Sequence, residues 1–548
     1  MLTLKEKIVF YLLLFIFIGS LFSWGTISYY SKTEAIPAYG GEYIEGIVGQ
    51  PAHVNPVISA SNNADDDLAQ IIFSRLFKYD AQGAITNDIV ADYAVSEDKM
   101  EYTVHLRKDV TWHDGEKLTA ADVLFTINLI ADPAYKSPLR SNWQGIETTS
   151  ADDYTLNFKI KTPYVGFLNN LTFGILPKHL WGSVGPEKFS LTSLNLEPIG
   201  SGPYKYSAMQ KDSNGNILSY KIVANPNYFG GKPYISKITF DFYSDDDAII
   251  AAYNKKEIMG ISNISPNKIG AIKLQQSTNT HKFNIPRYFA VFFNQTKSIP
   301  LAHDEVRKAL AYATDRQEII HTVLADNGHA VYSPILPNMT GYDENIDRMD
   351  FDLAKANSLL DEGGWKKAED GFRKKDAVKL EINLVTTDWA ELSKTAEILK
   401  AQWEKIGVKV NVSNLSISDI QQNYIRPREY DALLFGQVLG ADPDPYSFWH
   451  SSQKRDPGLN LSLFGDSTTD KLIEDGRVEF DLTKRTQIYK DFQEKLLAEL
   501  PAVFLYSPDY VYPVNKKVQG LAITNLILPS ERFSNIEKWY IETKRIWK

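Results

Sequence analysis

Residues Ile8–Phe22 form an apolar run of fifteen residues, preceded by Lys5 and Lys7 and diluted only by Gly19 and Ser20. Continued through Trp24 and Ile27 to Tyr29 and Tyr30, it reaches about 20 residues, which at ~1.5 Å per residue matches ~30 Å of hydrocarbon. Lysines before the run and aromatic rings after it suit a cytoplasmic start and an outer interfacial belt. That orientation leaves the remaining ~510 residues outside the membrane. Three readings compete: an uncleaved anchor over residues 8–30, a cleaved signal peptide, and a buried core helix. Cleavage wants small residues at −3 and −1, whereas Ala35 and Ala38 are separated by Ile36-Pro37. Against a core helix stands the run's all-round apolarity at the extreme N-terminus, with lysines before it. The anchor is the favoured reading. The chain has no cysteine, so lipid acylation of a cysteine cannot supply the tether.

At 548 residues the chain exceeds what one core supports, and two to four lobes are expected. Net charge is −9 with no basic block longer than Arg373-Lys374-Lys375, which disfavours nucleic acid as a partner. The lack of cysteine removes disulfides, thiolate catalysis and cysteine-based zinc sites. Aromatics make up 12% of residues. Most of them belong to cores, and the surplus suits a cleft that grips ligands by flat apolar contact.

Strand-like and helix-like segments alternate along the whole length, predicting mixed α/β lobes. Residues 31–41 read as a linker and Glu42–Val48 as a strand. Asp65-Asp66-Asp67 and Asp245-Asp246-Asp247 each precede an apolar helical stretch and read as N-terminal caps. Thr119 with Asp122 resembles a capping box. One helix is expected over Asp304–Leu324 and another over Trp389–Ile406, the latter closed by Gly407 between the strands Lys379–Val385 and Val408–Val412.

Motifs for chemistry are missing. The nine histidines form no H-E-x-x-H set, and His321 and His329 flank a turn rather than a metal. There is no G-x-S-x-G elbow, Walker loop or G-x-G-x-x-G after a strand. Gly200-Ser201-Gly202-Pro203 is Gly-rich, but Pro203 lacks the donor an anion cradle needs. Trp112-His113-Asp114-Gly115-Glu116 reads as a tight turn. An acid pair for glycoside hydrolysis is not singled out among the 68 carboxylates.

A run of segments in order carries a family pattern. They are Gly49-Gln-Pro-Ala-His-Val-Asn-Pro56, Leu76-Phe-Lys-Tyr-Asp80, Val104-His-Leu-Arg107 through Val110-Thr-Trp-His-Asp-Gly-Glu116, and Leu118-Thr-Ala-Ala-Asp-Val123. Gly200-Ser-Gly-Pro-Tyr204, Asn225-Pro-Asn-Tyr-Phe-Gly230, Val306-Arg-Lys-Ala-Leu310 with Asp315-Arg316, and Ala354–Gly364 follow. Over roughly residues 42–520 the chain resembles the family 5 extracellular solute-binding proteins, the dipeptide- and oligopeptide-binding receptors of ABC importers. The resemblance implies a periplasmic-binding-protein-like α/β fold of two lobes with an extra inserted α+β domain, here preceded by an N-terminal transmembrane helix. Carried onto this chain, residues 1–38 are anchor and linker. Lobe I is 39–58 with 178–284 and 500–548, the inserted domain 59–177, and lobe II 285–499.

The implied function is capture of a short peptide between the lobes and delivery to the transmembrane subunits of an ABC permease, by a monomer with no enzymatic activity, cofactor or metal. In the peptide-binding relatives an aspartate in a lobe II loop pairs with the ligand's α-ammonium, which places Asp442, with Asp444 as the alternative, at that point of Gly436–Phe448. Gly440 and Ala441 would offer main-chain bonds, and Asn460 and Trp389 would form pocket walls. Relatives also carry nickel complexes and sugars, so an oligosaccharide or metal chelate is the alternative ligand. A hydrolase or a chaperone-like surface protein is a more distant reading.

Overall fold

A computed structural model describes residues 3–59 and 62–548. Ala60 and Ser61, at the start of the expected inserted domain, lie outside the described residues, as do Met1 and Leu2 in the anchor segment. The apolar run lies in one helix, Leu4–Lys32, with no residue buried. Thr3 and Glu6 form a capping box at its start, satisfying free N–H groups of the first turn. Thr33–Pro37 follows directly as a strand and pairs antiparallel with the C-terminal strand Thr543–Trp547.

The body is organised on one long strand, Ala502–Asn515, buried at every position except Asn515. Its first half pairs with Arg287–Phe293, beyond which lie Ala432–Val438, Glu381–Thr387 and Lys409–Leu415. Its second half pairs with Thr278–Asn284 and with Gly260–Ile261, beyond which lie Glu42–Val48, Lys237–Tyr243, Ile217–Ala224 and Tyr204–Lys211. Two halves of one sheet thus become two lobes, joined where the chain crosses at residues 284–287 and 506–509. A strand buried on both faces reads as a continuous apolar run, and Ala502-Val-Phe-Leu-Tyr506 has that pattern.

Lobe II packs helices Asp304–Tyr312, Arg316–Leu324 and Ala390–Glu404 on one sheet face, around Leu310, Leu384, Leu399 and Trp403. The other face carries Tyr288, Phe292, Trp449 and Phe504. The inserted region holds a four-stranded antiparallel sheet in the order Val90–Val95, Glu101–Leu106, Thr155–Lys159, Glu147–Asp152. Its core is continuous with that of lobe I, running from Tyr43 and Phe240 to Trp112, Phe158 and Trp539.

Local structure departs from the sequence reading in three places. Residues 31–41, read as a linker, contain the strand Thr33–Pro37, which the C-terminal strand pairs with. The helix expected over Asp304–Leu324 is broken in two, because the Asp315 carboxylate caps Gln317 and Glu318 while its own N–H donates to Gln402. The Asp65–Asp67 triplet does not cap its helix. Asn62 does, accepting from the Ala64 N–H. Asp65 accepts from the backbone of Ala52 and His53, and Asp67 pairs with Arg532. At the second triplet Asp245 caps as read, accepting from Ala248.

The Gly200–Pro203 segment is a packing contact. A Cβ on Gly200 would come within 1.9 Å of the Ile72 carbonyl oxygen, so only glycine lets this backbone rest against the helix Asn63–Ile72. His113 bridges the same loop, taking the Gly200 N–H at 3.2 Å and reaching the Gly202 carbonyl at 3.1 Å. Burial pushes its pKa down to about 4.

Candidate functional site: the cleft at the lobe crossing

A cavity of about 320 Å³ opens where the lobes and the inserted region meet. Its walls come from seven separate parts of the chain. Gln82 and Gly83 belong to the hairpin turn of the inserted region, and Asn284–Pro286 and Ser507 to the two crossings. His329–Val331, Leu336–Met339 and the Gly440-Ala441 pair come from lobe II, and Asn525–Ile527 from lobe I. A volume of this size lies at the lower end for small-molecule sites.

Gly440 and Ala441 follow the strand Ala432–Val438, which ends when the Leu439 N–H donates to the Pro286 carbonyl at 2.7 Å. Beyond that bond the backbone N–H and C=O groups of Gly440 and Ala441 have no protein partner among the described residues. A Cβ on Gly440 would meet nothing nearer than 3.9 Å. Unpaired strand-end backbone facing a cavity can accept an extended segment by strand addition.

Asp442 and Asp444 stand next in the chain and outside the cavity wall, and both are already engaged. Arg485 grips Asp442 with two parallel bonds, 2.7 Å from Nη1 to Oδ2 and 2.6 Å from Nη2 to Oδ1. Its Nε donates to the Gly476 carbonyl and its Nη2 to the Tyr489 hydroxyl. Such bidentate charged pairs are strong and directional, and this one raises the Arg485 pKa against the opposing effect of burial.

Asp444 Oδ2 accepts from Arg477 Nε at 3.0 Å and from the Tyr164 hydroxyl at 3.1 Å. The Arg477 guanidinium also lies over the rings of Tyr164 and Tyr446, at 4.8 and 4.3 Å. Tyr164 belongs to the inserted region, so this contact ties that region to lobe II. Burial is the first cause of its raised pKa and the Asp444 charge the second.

The other two residues picked from the sequence lie elsewhere. Asn460 is fully buried, donating to the carbonyls of Trp449, His450 and Phe464. That arrangement fixes a lobe II loop and leaves its amide no free donor direction toward the cavity. Trp389 occupies the N-cap position of the helix Ala390–Glu404 and is 53% exposed. It lines no part of the cavity described above.

Sequence reasoning missed His329, Ser507, Asn525–Ile527 and the tie through Tyr164. They belong to no common motif: strand pairing brings in His329 and Ser507, whereas Asn525–Ile527 and Tyr164 arrive through loop contacts. His329–Ala330 enters by pairing with Tyr506–Pro508, a contact between segments far apart in the chain.

Comparison with known proteins places this architecture. The family model for bacterial extracellular solute-binding proteins, family 5, middle region, matches residues 84–458. The oligopeptide-binding protein AppA of Bacillus subtilis is 28% identical over 519 residues, spanning 93% of each chain. Its structure in complex with a nonapeptide superposes with a TM-score of 0.75 at 27% identity, covering 92% of this chain and 100% of that one. The structure of NikZ from Campylobacter jejuni in complex with Ni(L-His) gives a TM-score of 0.76 at 26% identity, with coverage of 91% and 99%. The chain belongs to the family 5 bacterial extracellular solute-binding proteins.

Proposed function

We propose that this protein captures short peptides in the cleft at the lobe crossing and hands them to the transmembrane subunits of an ABC importer. The observation that carries the reading is the unpaired backbone of Gly440 and Ala441 on the cavity wall. A main-chain ladder recognises any peptide in extended form without reading its side chains. The Asp442–Arg485 and Asp444–Arg477 pairs hold the following loop so that the two residues present their N–H and C=O groups in one geometry. The names of AppA and of the Escherichia coli dipeptide-binding protein, 28% identical over 508 residues, support peptide over other solutes. Ligand binding favours the closed arrangement of the lobes, and the permease reads that arrangement. In this reading the receptor works as a monomer, with residues 39–58, 178–284 and 500–548 as lobe I, 59–177 as the inserted domain and 285–499 as lobe II.

The apolar helix remains attached in this proposal. Cleavage after Ala35 or Ala38 would remove most or all of Thr33–Pro37 and leave Thr543–Trp547 an unpaired edge. Arg545 reinforces the junction, donating to the Tyr30 and Thr33 carbonyls and the Thr33 hydroxyl. The C-terminus is thereby fastened to the outer end of the anchor, on the extracytoplasmic side of the cytoplasmic membrane. Intact mass of the protein purified from membranes tests this, with the apolar helix present as the expected result.

Calorimetric titration of the full chain in detergent with di- to nonapeptides, a nickel–histidine complex and oligosaccharides tests the ligand class. Saturable binding of peptides alone is expected. Binding confined to the chelate or to the sugars would reject the peptide reading.

A further inference from the structure

Seven of the ten tryptophans are buried, and Trp24, Trp389 and Trp547 are the exceptions. Trp24 belongs to the apolar helix Leu4–Lys32, whose exposure a bilayer accounts for, and Trp389 opens a helix of lobe II. Trp547 is far from either in sequence and 68% exposed, although a side chain of that size is normally covered on a soluble body. Its ring meets the Tyr29 ring edge-on, with 6.0 Å between centroids. Tyr29 lies about 4.5 Å of helix before Lys32, at 1.5 Å per residue. Trp547 therefore reaches back from the soluble body to the level of the aromatic residues that end the apolar run.

The joint that brings it there has no slack. The helix passes into Thr33–Pro37 without an intervening turn, and five residue pairs join that strand to Thr543–Trp547. The Lys548 N–H adds a bond to the Lys32 carbonyl at 2.9 Å. Arg545 spans the joint, its guanidinium 4.4 Å from the centre of the Tyr30 ring and bonded to the Tyr30 and Thr33 carbonyls. Beyond the strand pair the Ala38 N–H donates to the Glu542 carbonyl and the Gly40 N–H to that of Tyr234. Tyr234 stacks on Tyr39 at 4.9 Å and leads into the lobe I strand Lys237–Tyr243. Hydrogen bonds thus run from the apolar helix to lobe I, with no free tether between them.

Charge around the joint suits a headgroup layer. Lys32, Lys544 and Lys548 are exposed there, and lysine stems can lie along apolar surface while their tips reach phosphates. Glu34 and Glu542 are exposed beside them and offset part of that charge. The rings, more than net charge, therefore drive the seating. Tryptophan and tyrosine favour this depth because one part of the ring system is apolar and the other end can be wet.

We propose that the strand Thr543–Trp547 is a second membrane contact, with Trp547 seated among phospholipid headgroups beside Tyr29 and Tyr30. Lobe I is thereby the lobe held against the bilayer. The proposal rests on retention of the apolar helix.

The full chain is reconstituted in vesicles of phosphatidylcholine and phosphatidylglycerol, with and without bromine near the headgroup end of the acyl chains. Quenching then reports which tryptophans touch lipid. Trp24 and Trp547 are the two expected within reach, so Trp547→Phe should lose about half of the quenched emission. A loss under about a tenth would overturn the proposal and leave the anchor standing, whether the ring faces water or a second copy of the chain. No quenching in the unmodified protein, with the apolar helix missing from its intact mass, would instead reject the retained anchor and this proposal with it.

A nitroxide on Trp547→Cys reads the same position without relying on emission. Its collisions with oxygen relative to chromium oxalate should exceed those at Lys394→Cys, exposed on lobe II, by about three-fold or more. Equal ratios at the two positions would overturn the proposal. Trp547 lies outside every core, so neither substitution opens a cavity.

Discussion

The two lobes treat buried charge differently. In lobe I the Arg532 guanidinium, fully buried, faces two carboxylates, Glu45 and Asp67, both essentially unexposed. Tyr43, Tyr512 and the Ser262 hydroxyl complete the cluster. It ties together segments hundreds of residues apart with its charged members buried, so its work is to hold the lobe and its inserted region as one body. In lobe II, Asp442 and Asp444 each meet a single arginine at the edge of the cleft, with some exposure left to each pair. There the charge pairs position a ligand-facing loop. Excess acid in a fully buried cluster marks architecture, whereas one-to-one pairing next to Gly440 and Ala441 marks the binding edge.

The comparison breaks first at Arg532. Arg532→Met leaves two buried carboxylates without their cation and should cost about 3–5 kcal/mol in chemical denaturation. A loss under about 1 kcal/mol would show that the cluster is not holding lobe I together. In lobe II, Arg485→Met strands Asp442, which retains some solvent, and a smaller loss of about 2–3 kcal/mol is expected. The same variant should weaken peptide binding at least ten-fold if the loop is positioned as argued, and an unchanged Kd would separate the loop from the site.

Acid content in lobe I also sets a pH dependence. Burial raises the Glu45 carboxyl to about 7 against the pull of Arg532, and burial raises Glu531 to about 7 as well. Both carboxyls hold their protons more tightly folded than unfolded. Their contribution is therefore complete below the unfolded pKa of about 4.3 and is lost as pH climbs through about 7. Thermal unfolding should show a Tm lower at pH 8 than at pH 5.5, and Glu45→Gln should flatten that slope. A flat profile for the unmodified protein would remove the asymmetry between the lobes. The smallest effect is expected at the tie between the inserted region and lobe II, where Tyr164→Phe deletes one hydrogen bond to Asp444 and should weaken peptide binding by about three-fold. No change in Kd would assign that contact to packing alone.

How far sequence reading reached depends on the range of the interaction. Asp245 and the Thr119–Asp122 box were readable because a cap contacts backbone within a few residues. Asp65 and Asp67 misled because their partners are Ala52, His53 and Arg532, the last 465 residues away. The break at residues 313–315 escaped notice for the same reason, since Gln402 draws the Asp315 N–H out of the helical ladder. Two sites of the cavity wall, Gly440 and Ala441, came within reach through the resemblance of one loop. Residues 284–286 and 329–331 join them through sheet register, and 82–83 and 525–527 through loop contacts such as Asn525 donating to the Gln82 carbonyl; neither leaves a spacing signature in the chain.

The account turns on closure of the lobes around a peptide, and one distance reports it. The chain has no cysteine, so spin labels on Glu187→Cys in lobe I and Lys394→Cys in lobe II are unambiguous, both positions being exposed. Double electron–electron resonance should show the interlobe distance shorten and its distribution narrow when a binding peptide is added. Superimposable distributions with and without bound peptide would contradict the clamp.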